Sequence, residues 1–212
     1  MPFPAALRRL LVLAALAWAP GAAAYIVPID AGDEAVYLRV GDGTFVGTYA
    51  NGGTPVEGVT GAISRVSVTV PQASVGNGTP QVMSANGRLT SDWDNFLFCE
   101  PGQLYIGGFY RRPNNGNFNA TLSVTVPANL VNESGDTIPM SQLSWTSSGN
   151  GDGAAAQPIP SGSFNPGTTP FPSETFRRNT WRESCLTFRY ANSAVVPGGT
   201  YTARVTFTLA SP

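Results

Sequence analysis

The sequence predicts an all-β protein, an antiparallel β-sandwich formed by a single domain, and three observations carry that expectation. Apolar residues recur with period two along segment after segment. Clusters of Gly, Pro and Asn separate those segments, and beyond the N-terminus no window of a dozen residues shows a helical stripe. The 212 residues include 24 Gly and 18 Pro, and only 12% are charged, well under the ~25% of ordinary globular chains. Such a chain is rich in turns, and strands spaced this way fold as antiparallel sandwiches or barrels.

Taken in order, residues 1–24 carry Arg8 and Arg9, then an apolar run from Leu10 to Trp18, a Pro-Gly break and three alanines before Tyr25. This is the pattern of a cleaved secretory signal peptide; the apolar run is about half the ~20 residues a membrane-crossing helix needs. About 188 residues then remain of the 212, enough for one sandwich. Residues 25–40 read as an N-terminal strand segment and residues 41–212 as the sandwich domain. Ala35–Val40 alternates, with Val36, Leu38 and Val40 on one face and Tyr37 and Arg39 on the other, ahead of the Gly41-Asp42-Gly43 turn. Residues 65–70 repeat the pattern with Val66, Val68 and Val70 inward. The aromatic stretch 93–99 and residues 104–110 form an expected pair of strands around Pro101-Gly102. Residues 120–126, 143–145 and 185–190 follow. The last strand, residues 201–209, sets Tyr201, Ala203, Val205, Phe207 and Leu209 against Thr202, Arg204, Thr206 and Thr208. Residues 149–169, rich in Gly, Ala, Ser and Pro, read as a long, stiffened surface loop.

Composition removes whole classes of function. Every one of the 12 basic residues is Arg, there is no His, and the net charge is −1. Without His the ordinary proton shuttle at neutral pH and the commonest zinc ligand are missing. Without Lys there is no Schiff-base chemistry. A chain this close to neutral offers no basic surface for nucleic acid. No G-x-S-x-G motif is present, and no imidazole exists to activate a hydroxyl. The reading is therefore not an enzyme, with no cofactor and no metal. Asp30, Asp33, Glu34 and Asp42 lie close in sequence but lack the alternate spacing of a calcium loop. Asp92 and Asp94 are the only pair suited to glycoside hydrolysis, since residues two apart on a strand share a face at roughly 6–7 Å; any Asp-x-Asp turn produces the same spacing.

Two features remain. Cys99 and Cys185, the only cysteines, follow a signal peptide and are expected to form a disulfide in an oxidising compartment. Among the aromatics, Tyr110 and Trp181, flanked by Arg111, Arg112 and Arg182, are expected to face solvent as a platform for a sugar ring or a partner protein.

The C-terminal string Gly198-Gly-Thr-Tyr-Thr-Ala-Arg-Val-Thr-Phe-Thr-Leu209 resembles the closing strand of bacterial pilin-type domains, the spore coat protein U-like and archaic chaperone–usher subunits, which end in a G-T-Y-T-x-x-V-T-V-T-type strand. The resemblance covers about a dozen residues and the general plan of signal peptide, alternating strands and one disulfide. It implies an immunoglobulin-like sandwich whose open groove is filled by a strand from a neighbouring subunit, with a periplasmic chaperone and an usher as partners in assembly. The donor would come from the mature N-terminus, with Tyr25, Val27 and Ile29, or Val36, Leu38 and Val40, as the inserted row. The expectation is thus a subunit of a cell-surface filament, exported through the periplasm, that pairs with copies of itself or related subunits. The alternative is a secreted monomeric module that binds a glycan or a protein on a host surface.

Overall fold

Fifteen strands and two single 3-10 turns make up the described part of the chain, with no α-helix among the described residues. The computed structural model describes residues 35–42, 45–46, 54–55, 63–112, 119–149, 157–172 and 176–212. The expected signal peptide and the row Tyr25, Val27, Ile29 lie outside them.

The larger sheet is built around the longest strand. In chain order its members are β1 (Ala35–Val40), β5 (Gln81–Val82), β7 (Leu104–Arg111), β11 (Leu143–Ser148), β12 (Gly162–Ser163) and β14 (Thr180–Tyr190). They lie in the order β1-β7-β14-β11-β12, with β5 also on β14, and every pairing is antiparallel. The opposing sheet is narrower: β13 (Gly167–Pro170) and β15 (Thr206–Ala210) flank β8 (Thr121–Val126). Three short ladders complete the set. β2 (Phe45–Val46) pairs with β3 (Thr54–Pro55), β4 (Val66–Ser67) with β6 (Ser84–Ala85), and β9 (Asn129–Val131) with β10 (Thr137–Pro139).

Period-two alternation decides which residues meet between the sheets. From β7 come Leu104, Ile106 and Tyr110, from β8 Leu122, Val124 and Val126, and from β14 Leu186, Phe188 and Tyr190, all buried in one core. Val36, Leu38 and Val40 pack on it from β1, as do Val66, Val68 and Val70. The expected alternation of residues 65–70 therefore holds although only Val66–Ser67 pairs as a strand. Two adjacent glycines make room where both faces of β7 are crowded. A Cβ on Gly108 would stand 2.5 Å from the Phe176 ring, and one on Gly107 would stand 2.2 Å from the Tyr105 hydroxyl.

Two expectations are corrected by the fold. Residues 157–164 are only in part a surface excursion: 160–163 are exposed, but Ile159 and Phe164 are buried, Trp145 donates its Nε1 hydrogen to the Pro160 carbonyl at 2.9 Å, and β12 pairs with β11. A low-charge segment containing isolated large apolar residues is a core plug as readily as a loop. Residues 93–99 are not a strand either. They belong to a hairpin-like fold-back in which Thr90 bridges Leu97, and the Ser91 amide donates to the Phe96 carbonyl at 2.9 Å.

Candidate functional site

The odd-numbered residues of β14 and β7 face away from the sandwich core, and residues 88–99 fold over them. This creates a second small core of Cys99, Tyr105 and Cys185, with Phe98 and Trp181 packed against it. The Cys99–Cys185 disulfide, Cα–Cα 5.5 Å, pins the fold-back to the sheet, as the sequence predicts.

Beneath the fold-back runs a polar network. Asp92, whose side chain is only 5% exposed, forms ion pairs with the Nε atoms of Arg39 and Arg88 and accepts a 2.8 Å hydrogen bond from the Tyr37 hydroxyl. The Asp92 amide donates to the Tyr105 hydroxyl at 3.2 Å, and that hydroxyl donates to Glu183 Oε2 at 2.7 Å. The same oxygen accepts from Ser91 Oγ at 2.9 Å and from Trp181 Nε1 at 2.8 Å. Burial raises the Tyr105 pKa far above the usual phenol range, and the neighbouring Glu183 carboxylate adds to it. For Arg39, burial acts to lower the pKa, but Tyr37 and Asp92 together outweigh it and the pKa rises. Asp92 is thus bound to two guanidinium groups, while Asp94 Oδ1 accepts from the Phe96 amide at 3.0 Å. The two carboxylates do different structural tasks.

Above the network the fold-back ends in a tight turn. Asn95 takes a left-handed conformation, φ 68°, and its Oδ1 accepts from Arg88 at 2.9 Å. The turn carries Trp93, Phe96 and Leu97 into solvent at 62%, 76% and 58% exposure. Trp93 stacks on Trp181, ring centroids 6.1 Å apart, and Trp181 also meets Tyr37 at 5.4 Å.

The expected Arg-framed platform therefore needs correction. Tyr110 is fully buried, because it shares the inward parity of Leu104 and Ile106 and faces Val36 across the β1–β7 pairing. Trp181 has the opposite parity and belongs to the outer aromatic cluster. Arg111 and Arg112 are half-buried at the end of β7, where Asn179 bonds both the amide and the carbonyl of Arg112. Arg182 lies on the inward parity of β14, opposite Gly108. The residues that do gather with Trp181 are Tyr37, Trp93 and Glu183, and Trp93 was legible in the sequence as the bulkiest member of its aromatic run.

A second feature lies at one side of the sandwich. Among the described residues β15 pairs only with β8, and β1 pairs only with β7. β1 and β15 lie against each other at that side. Their inward rows, Val36, Leu38 and Val40 with Phe207 and Leu209, are only half-buried. The adjacent row on β8 is closed off, with Leu122 1%, Val124 5% and Val126 3% exposed. Since Val36, Leu38 and Val40 already serve the chain's own sheet, the sandwich takes in Ala35–Val40, which the expected boundary at residue 40 leaves outside it.

Among the described residues no helix is long and apolar enough to cross a membrane. Comparison with known proteins finds no family model, no curated protein and no solved structure that matches the chain.

Proposed function

We propose that the protein is an exported structural subunit of a cell-surface filament, assembled by β-strand complementation. The observation that supports this reading is the half-covered apolar stripe between β1 and β15, which stands beside the closed row of β8. A strand that pairs on one side only among the described residues, over a partly exposed apolar row, is the surface that an added strand completes. Main-chain hydrogen bonds supply the affinity, and alternate side chains fill the gaps. With Val36, Leu38 and Val40 engaged in β1, the donor is the preceding alternating row, Tyr25, Val27 and Ile29. A disulfide and the lack of a membrane-crossing helix among the described residues are compatible with export.

The test uses a chain trimmed to Gly32–Pro212 and a synthetic peptide of residues 24–32. The peptide is expected to bind the trimmed protein and raise its melting temperature, while the Val27→Asp peptide leaves it unchanged. Linked oligomers of the chain starting at Tyr25, seen by light scattering and lost on trimming, would agree. Absence of peptide uptake overturns the reading.

A further inference from the structure

We infer that the hairpin tip, with Trp93 stacked on Trp181 above Glu183 and Phe96 exposed on the same turn, is a binding site for a neutral saccharide. Both tryptophans are tied to one carboxylate oxygen. Trp181 Nε1 donates to Glu183 Oε2 at 2.8 Å; the Trp93 amide donates to Ser91 Oγ at 3.0 Å, and Ser91 Oγ in turn donates to the same Oε2 at 2.9 Å. The platform is fixed from its backbone outward, since Asp94 Oδ1 holds the Phe96 amide, Arg88 holds Asn95, and the disulfide closes the base. Ordering of this kind lowers the entropy lost when a ligand binds.

The chemistry of the tip selects the ligand class. The exposed faces of Trp93 and Phe96 carry the negative side of an aromatic quadrupole, which suits the weakly positive C–H face of a sugar ring. Glu183 Oε2 is filled by three donors, whereas among the described residues no hydrogen bond ends on Oε1, and the residue is only half-buried. A carboxylate oxygen fixed in this way accepts from a sugar hydroxyl at the edge of the stack. Charge argues for a neutral ligand. Among the described residues the guanidinium groups of Arg39 and Arg88 are engaged by Asp92, and Asp94 and Glu183 add further carboxylates, so the tip offers no cationic cradle for acidic groups. A few polar groups around an aromatic surface is the common make-up of a small-molecule site. The inference does not depend on strand complementation, because the tip rests on the outer face of the large sheet and the half-covered stripe faces the core.

The chain starting at Tyr25 is applied to an array of neutral oligosaccharides (gluco-, chito-, manno- and galacto-series), and ligands are titrated by tryptophan fluorescence. At least one series is expected to bind with a fluorescence change. Trp93→Ala should lower affinity about tenfold or more, Phe96→Ala by less, and Trp93→Phe should keep most of it. Since Trp93 is largely exposed, the melting temperature of Trp93→Ala should stay close to that of the parent, which separates lost binding from lost folding. An array on which nothing neutral binds overturns the inference, as does a Trp93→Ala variant that binds equally well. So does a concentration-dependent dimer of the parent that Trp93→Ala dissolves, which makes the tip a protein contact.

Discussion

Removing the Cys99–Cys185 bridge tests how the fold-back is held. The cysteines are 86 residues apart. For a closed loop of that length the chain-entropy relation gives about 15 cal/mol/K, or about 4.6 kcal/mol at 25 °C. That figure is comparable to the whole stability of a small domain. Reduction in situ is the cleaner perturbation, because it keeps both sulfur atoms in the second small core beside Tyr105. With a urea slope of about 2 kcal/mol/M for a chain of this size, the unfolding midpoint should fall by about 2 M on reduction. The assay is a pair of urea titrations, oxidised and reduced, followed by tryptophan fluorescence and far-ultraviolet circular dichroism. Equal slopes in the two states would show that the comparison is between like transitions. A midpoint shift under about 0.5 M, roughly 1 kcal/mol, would refute the reasoning. It would mean that residues 99–185 hold together in the unfolded chain without the bond, so that closing the loop removes little entropy.

Two further outcomes follow from the network under the fold-back. Asp92→Ala removes the carboxylate shared by Arg39 and Arg88 and should cost on the order of 3 kcal/mol in chemical denaturation, whereas Arg88→Ala, the more exposed end of the cluster, should cost less. Tyr105 sets an alkaline limit. Its folded pKa lies above the unfolded value of about 10, so both states keep the proton below pH 10 and the contribution is intact there. As pH rises past 10 the unfolded chain ionises while folded Tyr105 does not, and stability should fall by up to about 1.4 kcal/mol per pH unit. Tyr105→Phe should be less stable at pH 7, having lost the bond to Glu183, but should show a flatter alkaline limb. Tyr190, raised by burial, adds to the slope in the same direction. An unchanged alkaline limb in Tyr105→Phe would contradict the assignment.

Alternation made much of the fold legible. β1, β8 and β15 announce their inward rows in a single pass over the sequence, because each has one apolar and one polar face. β14 was harder: only residues 185–190 read as a strand, while the structure extends it back to Thr180. Its polar members Arg182, Glu183 and Ser184 break the apolar run, and they are accommodated by glycines on β7 and by the outer network. Tyr110 was misplaced by its neighbours in sequence. Arg111 and Arg112 drew it outward, although counting in twos from Leu104 and Ile106 puts it inside. The turn at residues 93–97 was hidden by its aromatics, which carry strand propensity, yet its polar members Asp94 and Asn95 gave the turn signal. The small core of Cys99, Tyr105 and Cys185 was signalled only by its cysteines, since no local pattern shows that a sheet is covered on both faces.

β14 has a consequence of that double cover. Its even positions Leu186, Phe188 and Tyr190 fill the space between the sheets, and its odd positions Trp181, Glu183 and Cys185 serve the outer layer. The strand is read twice, once from each side. In a sheet with one wet face, a slip of one residue exposes an apolar row and buries a polar one. Here it would also drive Glu183 between the sheets and carry Cys185 out of reach of Cys99. The pairing of β14 is therefore specified by two independent alphabets that must agree, and a single-residue insertion or deletion within it should be tolerated less than one anywhere else in the large sheet.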